Sequence, residues 1–292
     1  MINEEHLIAI GNAIREKREA PDETYKPREM AAAIRTVPTE ITEIIQSPET
    51  NLKLPKETTE IGRYAYMGGD TGLNLTSVVA QKSDYYDYSG ISIVKPFAFA
   101  NQTNLKSVDL TPARYLTYLG DEQSGKVAGW GNSFVFQNCS SLETVKLPPQ
   151  TAYDNTNNYL TYIGRGCFQN CTSLTDTHFI TSSIRSIGPQ AFENTGIETL
   201  WLPHEIYYVG CEELVNENNP NVPGGRSFAG CKNLKRVAQV ISDDVHVPKY
   251  IAPDTFADCP NLTLIQVCWS EGAVPGAPWG ATNATIEYNH TI

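Results

Sequence analysis

The fold is decided by a stretch that recurs along the chain, Ile163-Gly164-Arg165-Gly166-Cys167-Phe168-Gln169-Asn170-Cys171-Thr172-Ser173-Leu174. A second copy begins at Ile187-Gly188 and places Phe192 24 residues after Phe168. Four further segments and a weaker first copy keep the same spacing of aromatic, small and leucine positions: Ile61-Gly62 with Ala65-Tyr66, Phe99 with Leu105, Phe136 with Cys139 and Leu142, Phe228 with Cys231 and Leu234, and Phe256 with Cys259 and Leu262. The chain therefore contains about seven internal repeats.

Each leucine is followed by alternating apolar residues, as in Val108 with Leu110 and Leu200 with Leu202. Alternation with a period of two predicts a short strand that buries one face. A unit of about 24 residues cannot bury its apolar side alone, so the units must stack on one another. The sequence predicts a solenoid of short parallel β-strands connected by turns and short helices.

The combined pattern Ile-Gly-x-x-Ala-Phe-x-x-Cys-x-x-Leu-x-x-Val-x-Leu-Pro resembles the BspA-like leucine-rich repeats of bacterial surface proteins and of some bacteriophage proteins. The resemblance covers residues 52–268 and implies a leucine-rich-repeat solenoid, which we assign to residues 38–268. It specifies a fold and leaves the ligand open.

The two ends of the chain differ from the repeats. Residues 1–37 predict an α-helical hairpin for anchoring or oligomerisation, with the apolar positions Leu7, Ile10, Ile14, Met30 and Ile34 at helical spacing. This segment resembles the N-terminal module of phage tail and baseplate-associated proteins, and a simple cap on the first coil is the alternative. Residues 269–292 resemble the tail of phage-encoded repeat proteins, and we expect this C-terminal cap to plug the last coil with Trp269 and Trp279.

Composition excludes several classes of function. The formal net charge of −11 disfavours nucleic acid and anionic lipid as partners. No stretch approaches the ~20 apolar residues of a membrane span, and the acidic N-terminus predicts no signal peptide. Seven cysteines, four of them at one repeat position, indicate packing by reduced thiols. No metal, cofactor or nucleophile motif is recognisable, so we expect neither a cofactor nor an enzyme.

Insertions between repeats are the candidate contact regions, because solenoid insertions often project from a binding face. They span residues 80–90, 121–132, 149–158, 211–225 and 242–249, and the two that follow Gly120 and Gly210 should emerge on one side. The first insertion is rich in tyrosine, serine and aspartate, a composition suited to recognition. The predicted contact residues are Tyr85, Tyr86, Tyr88, Trp130, Tyr153 and Tyr207. The alternative is that these tyrosines pack down on the solenoid.

The leading functional hypothesis is a virion protein, associated with a phage tail or fibre, that recognises a host surface glycan or protein through its loops. Residues 1–37 would contact other virion proteins or a second copy of the chain. The protein would assemble in the host cytoplasm and then become extracellular with the virion. The alternatives are a structural decoration protein that contacts only virion subunits and a bacterial surface adhesin.

Overall fold

The computed structural model describes residues 51–69, 73–120, 133–148, 160–180, 183–211, 225–240 and 246–290. Within these ranges the chain forms fifteen short strands, and every strand pair is parallel. The predicted helical hairpin of residues 1–37 lies outside the described residues, as do Leu7, Ile10, Ile14, Met30 and Ile34. The parallel-strand solenoid is confirmed.

The strands are two to four residues long: β1 Asn51–Lys53, β2 Glu60–Ile61, β3 Ser77–Val79, β4 Ile93–Val94, β5 Ser107–Asp109, β6 Tyr118–Leu119, β7 Thr144–Lys146, β8 Tyr162–Ile163, β9 Ser186–Ile187, β10 Thr199–Leu202, β11 Tyr208–Val209, β12 Arg236–Gln239, β13 Tyr250–Ile251, β14 Leu264–Gln266 and β15 Thr285–Glu287. They form a sheet β1-β3-β5-β7, a sheet β10-β12-β14-β15 and a seven-stranded sheet β13-β11-β9-β8-β6-β4-β2.

Strand register follows the buried apolar positions. Leu52 pairs with Val78, Val78 with Val108, and Val108 with Val145, and all four side chains are buried. Their neighbours along each strand point outward, because side chains alternate across a sheet. Each coil thus adds one apolar residue to a continuous column inside the solenoid.

The predicted short helices are wrong for the described residues, which form successive tight turns instead. In the coil of Phe99, the amides of Phe97, Phe99 and Asn101 donate to carbonyls of the next coil at 2.7–2.9 Å, and the amides between them donate within their own turns. Phe97 and Asn101 have φ values of 59° and 62°. A left-handed residue at every fourth position prevents continuous α-helix, and bonds to the neighbouring coil replace helical ones.

An aromatic stack forms the centre of the core on this turn side. Adjacent rings lie 5.2–5.8 Å apart and nearly parallel, and the column consists of Tyr66, Phe99, Phe136, Phe168, Phe192, Phe228 and Phe256. The six phenylalanines are at most 1% exposed. The repeated Phe of the sequence is therefore the residue that holds one coil on the next.

The cysteines belong to the same packing. All seven lie in described residues and are free, and six are buried. Thiols at the repeat position contact a backbone carbonyl of the preceding coil, as Cys139 Sγ does with Phe99 O at 3.2 Å. Burial raises the pKa of Cys139 to about 12, so this thiol stays protonated. The structure supports a packing role for the repeated cysteine.

The C-terminal end of the solenoid is closed by tryptophan. Trp269 and Trp279 are 2% and 1% exposed, and their rings meet edge to face with centroids 6.4 Å apart. Trp279 O accepts a hydrogen bond from the amide of Phe256, which extends the turn-side ladder by one step. Both tryptophan side chains are therefore packed in the core at this end of the described chain.

Insertions leave the solenoid at two edges. The chain leaves at Gly120 and at Gly210, each of which directly follows a strand of the seven-stranded sheet and has a positive φ. These two insertions therefore start from the same edge, although residues 121–132 and 212–224 lie outside the described part. Residues 80–90 occupy the other edge, between β3 and β4.

Candidate binding surface

The segment of residues 81–90, which we call the tyrosine loop, is held at both ends by the solenoid. Before it, the amide of Ala80 donates to Asp109 O at 2.8 Å. At its far end Ser89 is 1% exposed, and its amide donates to Pro112 O at 2.7 Å. Gln81 Nε2 also donates to Leu54 O at 2.8 Å. The loop is thereby tied to the coils on either side of it.

A compact turn shapes the tip of the loop. Ser83 Oγ accepts hydrogen bonds from the amides of Tyr85 and Tyr86 at 3.2 and 2.8 Å. The amide of Ser83 donates to Tyr88 O at 2.9 Å and closes the base of the turn. Serine hydroxyls favour such turns because they satisfy nearby backbone donors. The turn directs the tyrosines between its ends away from the core.

Two of the three rings are strongly exposed. The exposed fraction is 89% for Tyr85 and 60% for Tyr86, and Tyr88 is half-buried. Tyr86 and Tyr88 stack with centroids 5.0 Å apart, and the edge of Tyr115 meets Tyr88 at 5.1 Å. The alternative that the tyrosines pack down therefore describes Tyr88 and does not describe Tyr85.

Charged groups surround these rings. Lys82 pairs with Asp87, Lys56 pairs with Asp84, and Arg114 reaches Asp87 at 3.5 Å. The Arg114 guanidinium also lies 5.9 Å from the Tyr88 ring centroid. A hydrogen bond from Lys82 lowers the pKa of the Asp87 carboxyl. Because these groups are exposed, the pairs position the loop more than they stabilise the fold.

Tyr207 lies at the same edge of the solenoid, on a coil several strands farther along. Lys249 Nζ is 5.2 Å and Arg185 Cζ 5.8 Å from its ring centroid, and the ring of His246 meets it edge-on at 4.4 Å. Four strand steps of about 4.8 Å separate β4 from β11, so Tyr207 is about 20 Å from the tyrosine loop. The structure does not bring the two together.

The other predicted contacts, Trp130 and Tyr153, lie outside the described residues. Sequence reasoning missed Arg114 and Tyr115, which support the loop, and Arg185 and Lys249, which flank Tyr207. A signal existed for the first pair, since residues 111–116 link β5 to β6 at the edge where residues 80–90 link β3 to β4. No such signal existed for Arg185 and Lys249, because each lies in a different coil from Tyr207.

The described residues contain no group of three or more histidine, cysteine or acidic side chains placed to hold a metal ion. Of their carboxylates only Glu193 is buried, and its Oε1 accepts a 2.7 Å hydrogen bond from Arg226 Nε. No helix of the described part is long and apolar enough to cross a membrane. The surface that remains offers exposed aromatic rings and hydrogen-bonding groups on a fixed support, an arrangement suited to binding.

Comparison with solved structures gives remote likenesses. A leucine-rich repeat protein from Bacteroides ovatus shares 17% identity, with 82% of this chain and 60% of that chain covered and a TM-score of 0.45. The T. pallidum leucine-rich repeat protein shares 17%, with 75% and 72% covered and a TM-score of 0.39. A leucine-rich cell surface protein from Faecalibacterium prausnitzii shares 15%, with 75% and 64% covered and a TM-score of 0.37. The chain thus spans less than two thirds of the first and third of these proteins.

Comparison with protein families gives a match to the repeat itself. A family described as the BspA type leucine-rich repeat region matches residues 131–219, in six copies. No curated protein matches the chain significantly. Residues 131–219 thus carry leucine-rich repeats of the BspA type, and the described chain is a leucine-rich-repeat-type solenoid of parallel strands.

Proposed function

We propose that this protein is a non-enzymatic binding protein whose tyrosine loop contacts a glycan or protein on the surface of a host cell. The exposure of Tyr85 and Tyr86 on a loop tied down at both ends carries the proposal. Tyrosine offers a large amphipathic contact area at a low cost in side-chain entropy. A loop ordered before binding loses less entropy when the partner arrives.

We further propose that the protein reaches that surface as part of a phage virion, tail- or fibre-associated, with residues 1–37 bound to other virion proteins. This part rests on the resemblance of the two chain ends to phage modules. Antibodies against residues 38–268 should then label intact virions and block their attachment. Labelling of the producing cell in the absence of virions would favour the adhesin. Loops inaccessible to antibody in intact virions would favour the structural decoration protein.

The loop is tested by binding of the purified full chain to candidate host cells and to glycans extracted from their surface. We expect the double variant Tyr85→Ala/Tyr86→Ala to lose at least about tenfold in affinity, because exposed aromatic anchors dominate such contacts. Tyr118→Ala is the matched control, since Tyr118 is a half-buried tyrosine on the outer side of β6. Equal affinities of the double variant and the wild type would refute a role for the loop.

A further inference from the structure

A groove of about 740 Å³ crosses the turn side of the solenoid, away from the tyrosine loop. It passes over successive coils, and its lining residues are asparagine, serine, threonine, glycine and one lysine. We call it the asparagine groove, and its lining includes Asn138, Asn170, Asn194, Gly230, Lys232 and Asn233.

One wall of the groove is a ladder of side-chain amides. Asn138 Nδ2 donates to Asn101 Oδ1 at 2.8 Å, Asn170 Nδ2 to Asn138 Oδ1 at 2.8 Å, and Asn194 Nδ2 to Asn170 Oδ1 at 2.9 Å. Each amide nitrogen carries two hydrogens, and the ladder uses one of them. The wall therefore repeats an amide donor at the coil spacing of about 4.8 Å.

The groove lining also includes hydroxyl groups that bond to the preceding coil. Ser140 Oγ donates to Thr103 O at 3.4 Å, and Thr172 Oγ1 donates to Ser140 O at 3.2 Å. A hydroxyl that donates once keeps two lone pairs as acceptors. The groove lining thus includes both amide donors and hydroxyl acceptors.

Gly230 interrupts the column of asparagines beside the groove. Gly230 occupies the frame position of Asn138, Asn170 and Asn194, and its φ of 70° is close to their values of 61°, 63° and 58°. A Cβ on Gly230 would lie 2.1 Å from Asn194 Oδ1, so this oxygen occupies the space that a side chain would take. The amide ladder therefore stops at Asn194.

The end of the ladder leaves a specific acceptor at the groove. Each amide oxygen of the ladder accepts from the following coil, and in the described residues no side chain donates to Asn194 Oδ1. Asn194 is exposed. A ligand donor that reaches Asn194 Oδ1 would supply the hydrogen bond that a further asparagine of the ladder would make.

The charges of the lining restrict the ligand. Lys232 is the one charged residue in the lining, which includes no carboxylate and no aromatic ring. A strongly anionic ligand would need more cations than this, and an apolar peptide would need apolar pockets. Regularly spaced donors and acceptors fit a molecule that carries a hydroxyl on nearly every carbon.

We propose that the asparagine groove binds a neutral glycan chain, with the Asn194 side chain at the centre of the site. The site goes beyond the proposed function of the tyrosine loop and does not depend on it, since the two surfaces share no residue. An uncharged chain of sugar rings would run along the solenoid and meet the amides of Asn138, Asn170 and Asn194 in successive coils.

Gly230→Asn is the sharpest test, because it restores the asparagine of this frame position and must displace the Asn194 side chain, whose Oδ1 lies 2.1 Å from the place of a Cβ on Gly230. Thermal unfolding is measured beside binding to show that the variant folds. Binding of the full chain to soluble dextran, mannan, galactan and β-glucan is measured. Where the wild type binds, Gly230→Asn should weaken binding by at least about tenfold.

Two further variants keep the test interpretable. Asn233→Trp blocks the rim from an exposed position and does not alter the ladder, which covers the case in which Gly230→Asn fails to fold. Asp258→Asn is the control, because Asp258 lies at the same frame position beyond the groove and also has a positive φ, 57°. Affinity should fall in the first variant and stay within about twofold of wild type in the control.

Charge is tested by comparing dextran with dextran sulfate and by Lys232→Gln. A neutral ligand predicts affinities that change less than about twofold with Lys232→Gln or with added salt, because few ion pairs are screened. Exclusive binding of dextran sulfate would overturn the proposal that the ligand is neutral.

Binding of none of the four neutral glycans would overturn the site. Folded Gly230→Asn and Asn233→Trp that bind as tightly as the wild type would overturn it too. If only Tyr85→Ala/Tyr86→Ala abolishes binding, the loop proposal stands and the groove proposal fails.

Discussion

The tyrosine loop and the asparagine groove place two different kinds of surface on one scaffold. The loop is an irregular insertion whose Tyr85 ring is 89% exposed and contributes little to the core. The groove is built from repeat positions, and its amides bond to one another across the coils. Side chains for binding can thus lie in an insertion between repeats, where they contribute little to stability. They can also lie at a repeat position, where they hold adjacent coils together.

The largest expected effect comes from the stack that supports both surfaces. Phe168 is fully buried between Phe136 and Phe192, with centroids 5.4 and 5.2 Å away. Phe168→Ala should lower the free energy of unfolding by about 3–5 kcal/mol, because it removes a packed ring and leaves a cavity. Denaturant unfolding followed by circular dichroism checks this. A loss below about 1 kcal/mol would mean that the stack does not couple the coils.

The second-largest expected effect on stability comes from the asparagine ladder of the groove. Asn170 both donates to and accepts from a neighbouring asparagine, and its φ is 63°. Asn170→Ala should cost about 2–3 kcal/mol through two lost hydrogen bonds and left-handed strain. Asn170→Gly is the control, since glycine accepts this φ but cannot rebuild the ladder. Equal stability of Asn170→Gly and wild type would show that the ladder contributes nothing.

For the loop we expect almost no effect on stability. Tyr85→Ala should change the free energy of unfolding by less than about 0.5 kcal/mol, because its ring contacts mainly solvent. The same denaturant experiment measures it beside Asn170→Ala. A loss as large as that of the ladder variant would remove the contrast between the two surfaces.

The smallest expected effect is electrostatic and confined to the loop. Lys82 lowers the pKa of Asp87, so Lys82→Gln should raise it towards the ordinary value of 3.8. A lowered carboxyl pKa means that the pair is present above the unfolded-state pKa and is lost as pH falls through the folded-state pKa. Carboxyl carbon shifts in an NMR titration of both proteins report the change. An Asp87 pKa that is the same in both proteins would mean that Lys82 does not pair with Asp87 in solution.

The sequence predicts much of this architecture because repetition makes each packing position visible several times. Phe168, Phe192 and their counterparts identify the aromatic stack, and the strand positions follow from alternation. The turns that replace the predicted helices were missed, since a left-handed φ at Phe97 or Asn101 depends on bonds to the next coil and not on local propensity.

The two surfaces were not equally visible in the sequence. Three tyrosines within residues 81–90 indicate a candidate contact by composition alone, but their support by Tyr115 depends on how adjacent coils align. Asn138, Asn170 and Asn194 recur at one frame position. Such recurrence is equally expected of residues that only maintain the repeat, so it does not indicate a binding site. Only the structure shows that this column, which Gly230 interrupts, lines a groove.

If the tyrosine loop is a binding surface that the fold does not need, binding and stability must respond separately to its removal. The most direct test measures binding of wild type, Tyr85→Ala/Tyr86→Ala and Tyr118→Ala to intact candidate host cells, with unfolding curves on the same samples. We expect saturable binding that only the double variant loses, by at least about tenfold, at unchanged stability. Equal binding by all three folded proteins, or no saturable binding by wild type, would contradict it.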